Sequence, residues 1–426
     1  MKATIRLTQE QKHVIKVVTF GGILEWFEIY SFVYLAPILG KLFFSFNSPL
    51  SNFLAAFLLF GIGLVSRPFG AIIFGRIGDH IGRKAAFMYS IVIMTIPTFL
   101  MGCLPTYASV GVLAPILFYF LRFLQSIPAS GEMPGTICFL YENSKKENVN
   151  YVTSWTFVGN QIGAIVAIVE TLIMDGLLSE AAMESWGWRV SFWTGGFIGL
   201  FGIYLRYSLM ETPTFQNLKS HHHIDNKTVG KVINNYKKPI GIGIGFGGVL
   251  AASFYLYAIY IPEYLNGILH FDSTVLSWIM IGLIALMTFL LPFFGILADR
   301  TSSKKIFLYS SLFIIVLLPF LSYSLNNRDL FQLSILGILL AFPIAGLSAV
   351  YPYWIAHMFS SNIRYTSIGL AFNFADCFIG GLSPAVGLAL LEYTRRDGMI
   401  TWYVLFWAVV SVVSYFYVKP HRGRSI

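Results

Sequence analysis

Between residues 14 and 418 the chain is divided into twelve apolar runs, each long enough to cross a bilayer. They lie near 14–44, 52–74, 86–104, 111–140, 151–174, 190–208, 239–266, 275–298, 306–324, 330–358, 366–391 and 400–418. A helix of about 20 mostly apolar residues spans the hydrocarbon core, and its backbone groups must pair within it. Twelve such runs use most of the 426 residues, so no soluble domain fits between them. Charged residues make up 12% of the chain and apolar ones 56%. Soluble domains carry about 25% charged residues, so an ordinary soluble enzyme is excluded, and so is a disordered chain. The expected fold class is an all-α membrane protein with twelve transmembrane helices. The longest polar stretch, 209–238, separates two sets of six. The expected organisation is a six-helix bundle over 1–208, a central loop over 209–238 and a second bundle over 239–426, the layout of a transporter built from repeated halves. No cleavable leader is expected, because 1–16 is polar and the first apolar run is too long for one.

The net charge is +9, from 29 Lys and Arg against 20 Asp and Glu. With the N-terminus in the cytoplasm, 22 of the 29 basic residues fall on the cytoplasmic side, among them Lys2, Arg6, Arg206, Lys227, Arg364, Lys419, Arg422 and Arg424. Five fall opposite, and Arg67 and Arg122 lie within spans. Short cytoplasmic loops are enriched in Lys and Arg, so both termini are expected in the cytoplasm. The basic excess then has no need of a nucleic-acid partner. Three cysteines, Cys103, Cys138 and Cys377, sit in or beside apolar runs and form no CxxC pair. They are expected to be buried packing residues.

Between the second and third runs the sequence reads Gly75-Arg76-Ile77-Gly78-Asp79-His80-Ile81-Gly82-Arg83-Lys84. Glycines suit a tight turn where backbones approach. Asp79 can cap a neighbouring helix N-terminus, and Arg83 can pair across the half. A related segment follows the eighth run: Gly295-Ile296-Leu297-Ala298-Asp299-Arg300, then Lys304-Lys305. The spacing of half a chain marks an internal repeat. In the second copy Ser302 and Ser303 stand where a glycine is expected, which predicts a weaker latch.

These loops resemble the signature of the major facilitator superfamily. Other segments are similar to its metabolite–proton symporter branch, which includes proline/betaine, dicarboxylate and shikimate carriers. They are Glu25-Trp26-Phe27-Glu28-Ile29-Tyr30, Ser66-Arg67-Pro68-Phe69-Gly70, Arg122-Phe123-Leu124-Gln125-Ser126 with Gly131-Glu132, Trp186-Gly187-Trp188-Arg189, Glu211-Thr212-Pro213-Thr214-Phe215, Arg364-Tyr365 and Phe372-Asn373. Gly22, Glu28, Ser126 and Ser130 depart from the branch pattern. The resemblance implies the major facilitator fold, a bacterial inner-membrane location and uptake of a small polar metabolite with protons. It also implies gating by Gly75, Gly78, Asp79, Gly82, Arg83, Asp299 and Arg300.

Ionisable residues within spans are costly, so they are functional candidates. Glu25 and Glu28 are three residues apart and share a helix face. Two carboxylates this close in a low dielectric do not both ionise easily, so one should hold a proton. Arg122 cannot deprotonate and serves either a carboxylate partner or a bound anion. Helical spacing puts Gln125, Ala129 and Glu132 on its face. The proton-coupling candidates are Glu25, Glu28 and Glu132. The substrate candidates are Arg122, Gln125, Trp26, Tyr30, Asn373 and Asp376. Arg67 is placed with the gate. The glycines of 241–248 lie inside a span and predict close helix packing, not a nucleotide loop. His221–His223 reads as a solvated loop.

Neither a cofactor nor a metal is expected, nor a nucleophile–base pair of an enzyme. The expected partners are a small-molecule substrate, protons and lipid, with the chain acting as a monomer. A proton-independent facilitator or exchanger is the first alternative. A non-transporting sensor is the second, disfavoured by the short tails. The substrate itself stays open among zwitterions, dicarboxylates and shikimate-like acids.

Overall fold

The computed structural model of the chain describes residues 7–44, 49–221 and 229–418, without the side chains of 49–62, 64 and 65. Lys2, Arg6, Lys227, Lys419, Arg422 and Arg424 of the charge count lie outside the described residues, as do His222 and His223. Twelve long helices follow in chain order. They are α1 (Gln9–Phe43), α2 (Pro49–His80), α3 (Arg83–Met101), α4 (Leu113–Glu142), α5 (Val149–Leu177), α6 (Trp188–Tyr207), α7 (Val229–Gly267), α8 (Ser273–Arg300), α9 (Ser303–Asn327), α10 (Leu330–His357), α11 (Arg364–Thr394) and α12 (Ile400–Tyr417). The described residues contain no strand.

Local chemistry sets several helix starts. Thr8 and Gln11 form a reciprocal capping box at α1. Asp272 and Asp329 cap α8 and α10 through their carboxylates. Prolines lie inside α1 to α4 and α7 to α10, at Pro37, Pro68, Pro97, Pro128, Pro239, Pro292, Pro319 and Pro343 among others. Neighbouring helices make such breaks tolerable in a membrane. The outer surface is built for lipid: Phe289 is 75% exposed and Leu177 78%, in a band of large apolar side chains that water would penalise.

The structure moves two expected boundaries. The second run continues as helix to His80, through Gly75 and Gly78, so these glycines are not turn residues. They are contact points. A Cβ on Gly75 would press on Thr366, and one on Gly78 would press on the ring of Tyr365, both in α11. The turn itself is Ile81–Gly82, where Gly82 has φ +147°, a conformation that only glycine adopts readily. The stretch 209–238 is likewise not one loop. It holds a helix at Pro213–Ser220, and α7 already begins at Val229, with a break at Tyr236. Arg206 and Arg364, counted from sequence as loop cations, are fully buried in the structure. Each meets a carboxylate that only the tertiary fold brings to it.

The two sets of helices meet along α5 against α8 and α2 against α11. At the end carrying the basic loops, called here the basic face, each half caps a helix of the other. Asp79 of α2 accepts from Tyr365 N at 3.1 Å and Thr366 N at 3.0 Å, at the start of α11. Asp299 of α8 accepts from Asn150 N and Asn150 Nδ2, each at 2.9 Å, and from Tyr151 N at 2.8 Å, at the start of α5. A carboxylate on helix N–H groups is favoured by the helix dipole. The repeat seen in the sequence is thus a reciprocal pair of caps, and the second copy keeps its cap despite the serines. What it lacks is an equivalent of Arg83: Lys304 and Lys305 are exposed and make no described ion pair. Arg300 is exposed as well.

Candidate substrate site

Midway along the helices a small cavity is walled by α1, α2, α4 and α7. Its polar lining is Glu25, Glu28, Arg67, Arg122, Gln125 and Ser126, with Tyr255 on the α7 side. The i, i+3 spacing of Glu25 and Glu28 puts both on one wall, and both are more than nine-tenths buried. Glu28 accepts from Thr98 Oγ1 at 2.5 Å and from Gln125 Nε2 at 2.7 Å. Gln125 in turn takes Arg122 Nη1 on its carbonyl oxygen at 2.5 Å. Arg122 therefore reaches Glu28 only through an amide. Among the described residues no carboxylate lies within ion-pair distance of it and its Nε has no partner, while its guanidinium stacks 4.3 Å from the Phe32 ring centroid. A buried guanidinium that meets an amide and a ring, but no carboxylate, has the chemistry to receive an anion.

Arg67, placed with the gate from the sequence, lies in the wall of this central cavity. Its Nη1 lies 2.5 Å from Asp376 Oδ2 of α11, and its Nη2 lies 3.9 Å from Glu25 Oε1. It bridges the two halves. Tyr255 OH donates to the same Asp376 oxygen at 3.4 Å. Across this bridge is a second chamber lined by Trp26, Phe157, Phe254, Tyr351, Phe372 and Asp376. Trp26 packs edge-on to Phe254 with centroids 4.9 Å apart, and its indole N–H has no partner.

The other sequence candidates fall elsewhere. Glu132 does not join Arg122. It is held by Arg206 Nη1 at 2.8 Å and Nη2 at 2.5 Å, and by Ser90 Oγ at 2.5 Å. The same Arg206 lies over Phe87, 3.5 Å from its centroid. The helical spacing from Arg122 is right, but α3 and α6 supply a buried ion pair within the first half. Asn373 donates to Ser130 O at 3.0 Å and Gly369 O at 2.8 Å, a helix contact between α11 and α4. Tyr30 lines a separate outer opening. Thr98 and Phe32 complete the site but carry no ionisable group, so nothing in the sequence marked them.

Glu132–Arg206 separates structure from function by experiment. Breaking a buried pair by removing one partner costs about 3–5 kcal/mol. Arg206→Ala is expected to lower the melting temperature of the purified protein strongly, and Glu132→Gln less, because the amide still pairs. Equal melting of Arg206→Ala and wild type in a thermal scan would contradict this.

At the basic face a second buried cluster centres on Glu142, at the end of α4. Arg83 Nε lies 3.4 Å from it and Arg364 Nη1 2.6 Å, while Thr212 Oγ1 donates at 2.6 Å. Arg83 also donates to Gly78 O and to Ser361 O in the other half. The linker helix Pro213–Ser220 places Phe215 5.0 Å from the Arg83 guanidinium. Glu211 accepts from the Lys84 and Thr212 amides, and burial pushes its carboxyl up from the ordinary value.

Twelve long helices, arranged as two sets around a buried polar cavity with charged caps closing one end, define a membrane transporter. The chain belongs to the major facilitator superfamily. Residues 14–239 match the family model for sugar (and other) transporters, and residues 243–425 match that of the major facilitator superfamily. A Staphylococcus haemolyticus (strain JCSC1435) protein provisionally named a proline/betaine transporter is 32% identical over 98% of this chain and 90% of its own length. The glycine betaine/proline/ectoine/pipecolic acid transporter OusA of Dickeya dadantii (strain 3937) is 29% identical over 97% and 84%. The solved structure of the proton:xylose symporter XylE bound to 6-bromo-6-deoxy-D-glucose matches with a TM-score of 0.79 at 14% identity, covering 98% of this chain and 97% of that one. At that identity the likeness speaks for the fold.

Proposed function

We propose that the chain takes up a small carboxylate-bearing metabolite, a proline/betaine-type zwitterion or an organic acid, together with protons by alternating access. Arg122 carries this reading. A buried cation is costly unless something pairs with it, and here the missing partner fits a substrate carboxylate. Charge count supports proton coupling. Glu25, Glu28 and Asp376 face Arg67 and Arg122, one acid in excess, so the site is neutral only with one proton aboard. The names of the relatives agree with the substrate class. The basic face is assigned to the cytoplasm of a bacterial inner membrane, with both termini there, and one chain forms the whole path.

In the conformation described, the reciprocal caps, the Glu142 cluster and Arg67–Asp376 hold the basic face shut. Gly75, Gly78, Asp79, Gly82, Arg83 and Asp299 serve this closed gate. Gly78→Val puts a side chain where the Tyr365 ring lies and should part α2 from α11. A thiol introduced by Ser126→Cys is then expected to react faster with a reagent supplied from the basic face. Unchanged reactivity refutes the gate assignment.

The substrate reading is tested by thermal stabilisation of the purified protein. Zwitterions, dicarboxylates and shikimate-like acids are compared, first on wild type and then on Arg122→Ala. One class should raise the melting temperature of wild type alone. Stabilisation that survives Arg122→Ala overturns the reading. A proton-flux measurement during uptake separates a symporter from a facilitator or exchanger.

A further inference from the structure

On the side away from the basic face, α1, α7 and α8 enclose an open vestibule. Its void, counted together with the open solvent at its mouth, is about 550 Å³. The polar lining is Tyr30, Tyr34, Glu263, Asn266, Ser273 and Ser277. The lining contains one carboxylate, two phenols and no Lys or Arg. Tyr34 bonds Ser277, whereas Tyr30, only 5% exposed, keeps a buried hydroxyl with no partner. Glu263 has no described cation partner, in contrast to the acids of the gate and to the Glu132–Arg206 pair. The vestibule abuts the central cavity, because Ile29 lines both.

The geometry points to a cation-recognising entry subsite here. We propose that Glu263, with the tyrosine faces of Tyr30 and Tyr34, holds the ammonium end of an incoming solute before its carboxylate reaches Arg122. A ring face attracts a cation, and a carboxylate on the same wall adds a charge that repels anions. The two stations then check opposite ends of one molecule: charge at the mouth is negative, and charge left open in the centre is positive. A plain organic anion finds nothing at the first station. The carboxylate half of this picture rests on the function proposed above, but the cation half does not.

Tetramethylammonium, which has a cationic end and no carboxylate, isolates the first station. The test uses the reconstituted full-length protein with Cys103→Ser and a reporter thiol from Val33→Cys on the vestibule wall. Saturating tetramethylammonium should slow maleimide labelling of that thiol, because the bound cation covers the wall that carries it. Acetate should not. Glu263→Gln should abolish the protection, Glu263→Asp should retain part of it, and Arg122→Ala should leave it whole. The proposal is overturned by absence of protection in the Val33→Cys protein, by equal protection in Glu263→Gln, or by loss of protection in Arg122→Ala. Failure of the transport reading appears elsewhere, as substrate stabilisation that survives Arg122→Ala, so the two failures are distinguishable.

Discussion

Glu25→Gln is expected to abolish proton-driven accumulation in vesicles while substrate exchange across the membrane continues. The amide imitates the protonated acid in size and charge but releases no proton. With Gln at 25, the site holds two acids, Glu28 and Asp376, against Arg67 and Arg122, so it is neutral in every step. Substrate then equilibrates and is not concentrated. Glu25 is the candidate because it lies 3.9 Å from Arg67, whose firmer partner is Asp376 at 2.5 Å across the halves. An ionised Glu25 competes for that guanidinium, so its proton and the cross-half bridge are linked through one residue. Glu28 is tied instead to Thr98 and Gln125. Its neutral variant should weaken substrate binding as well as coupling, because Thr98 and Gln125 hold it beside Arg122. Full accumulation by Glu25→Gln vesicles under an imposed pH gradient would sink the assignment.

Much of this was legible in the sequence, for a physical reason. A bilayer excludes unpaired backbone and most charge, so span number follows from apolar runs. The same exclusion made Glu25, Glu28, Arg122 and Asp376 conspicuous. What stayed hidden is pairing. Glu132 lies on the helical face of Arg122, but its partner Arg206 comes from α6, 74 residues away. Arg206 itself looked like a loop cation, since one residue beyond it the helix ends. Arg67 was placed with the gate, and its partner Asp376, 309 residues away, is likewise invisible in the sequence. Gly75 and Gly78 carried a turn signal, but the contact that needs them, with Thr366 and Tyr365, is nearly three hundred residues away and leaves no local trace. Tyr30 and Trp26, four residues apart, were assigned to one site. The structure opens a separate cavity at each.

Arg122→Ala is expected to separate binding from stability in opposite directions. Hydrogen bonds to a charged group contribute about 1.5–3 kcal/mol, so losing the guanidinium should weaken substrate binding by roughly 10- to 150-fold. Arg122→Lys should recover little, because the ammonium lacks the planar fork and the stacking on Phe32. Yet the ligand-free Arg122→Ala protein should melt no lower than wild type. Among the described residues Arg122 has no carboxylate partner, so the fold bears its desolvation without a compensating ion pair. Arg206, fully buried and paired, predicts the reverse: a large loss of stability on truncation. The contrast is the physical signature of a site held open for a ligand, in which stability is given up where the substrate is to bind. Thermal scans of the two variants with and without substrate decide it. A ligand-free Arg122→Ala that melts as low as Arg206→Ala makes Arg122 a structural residue.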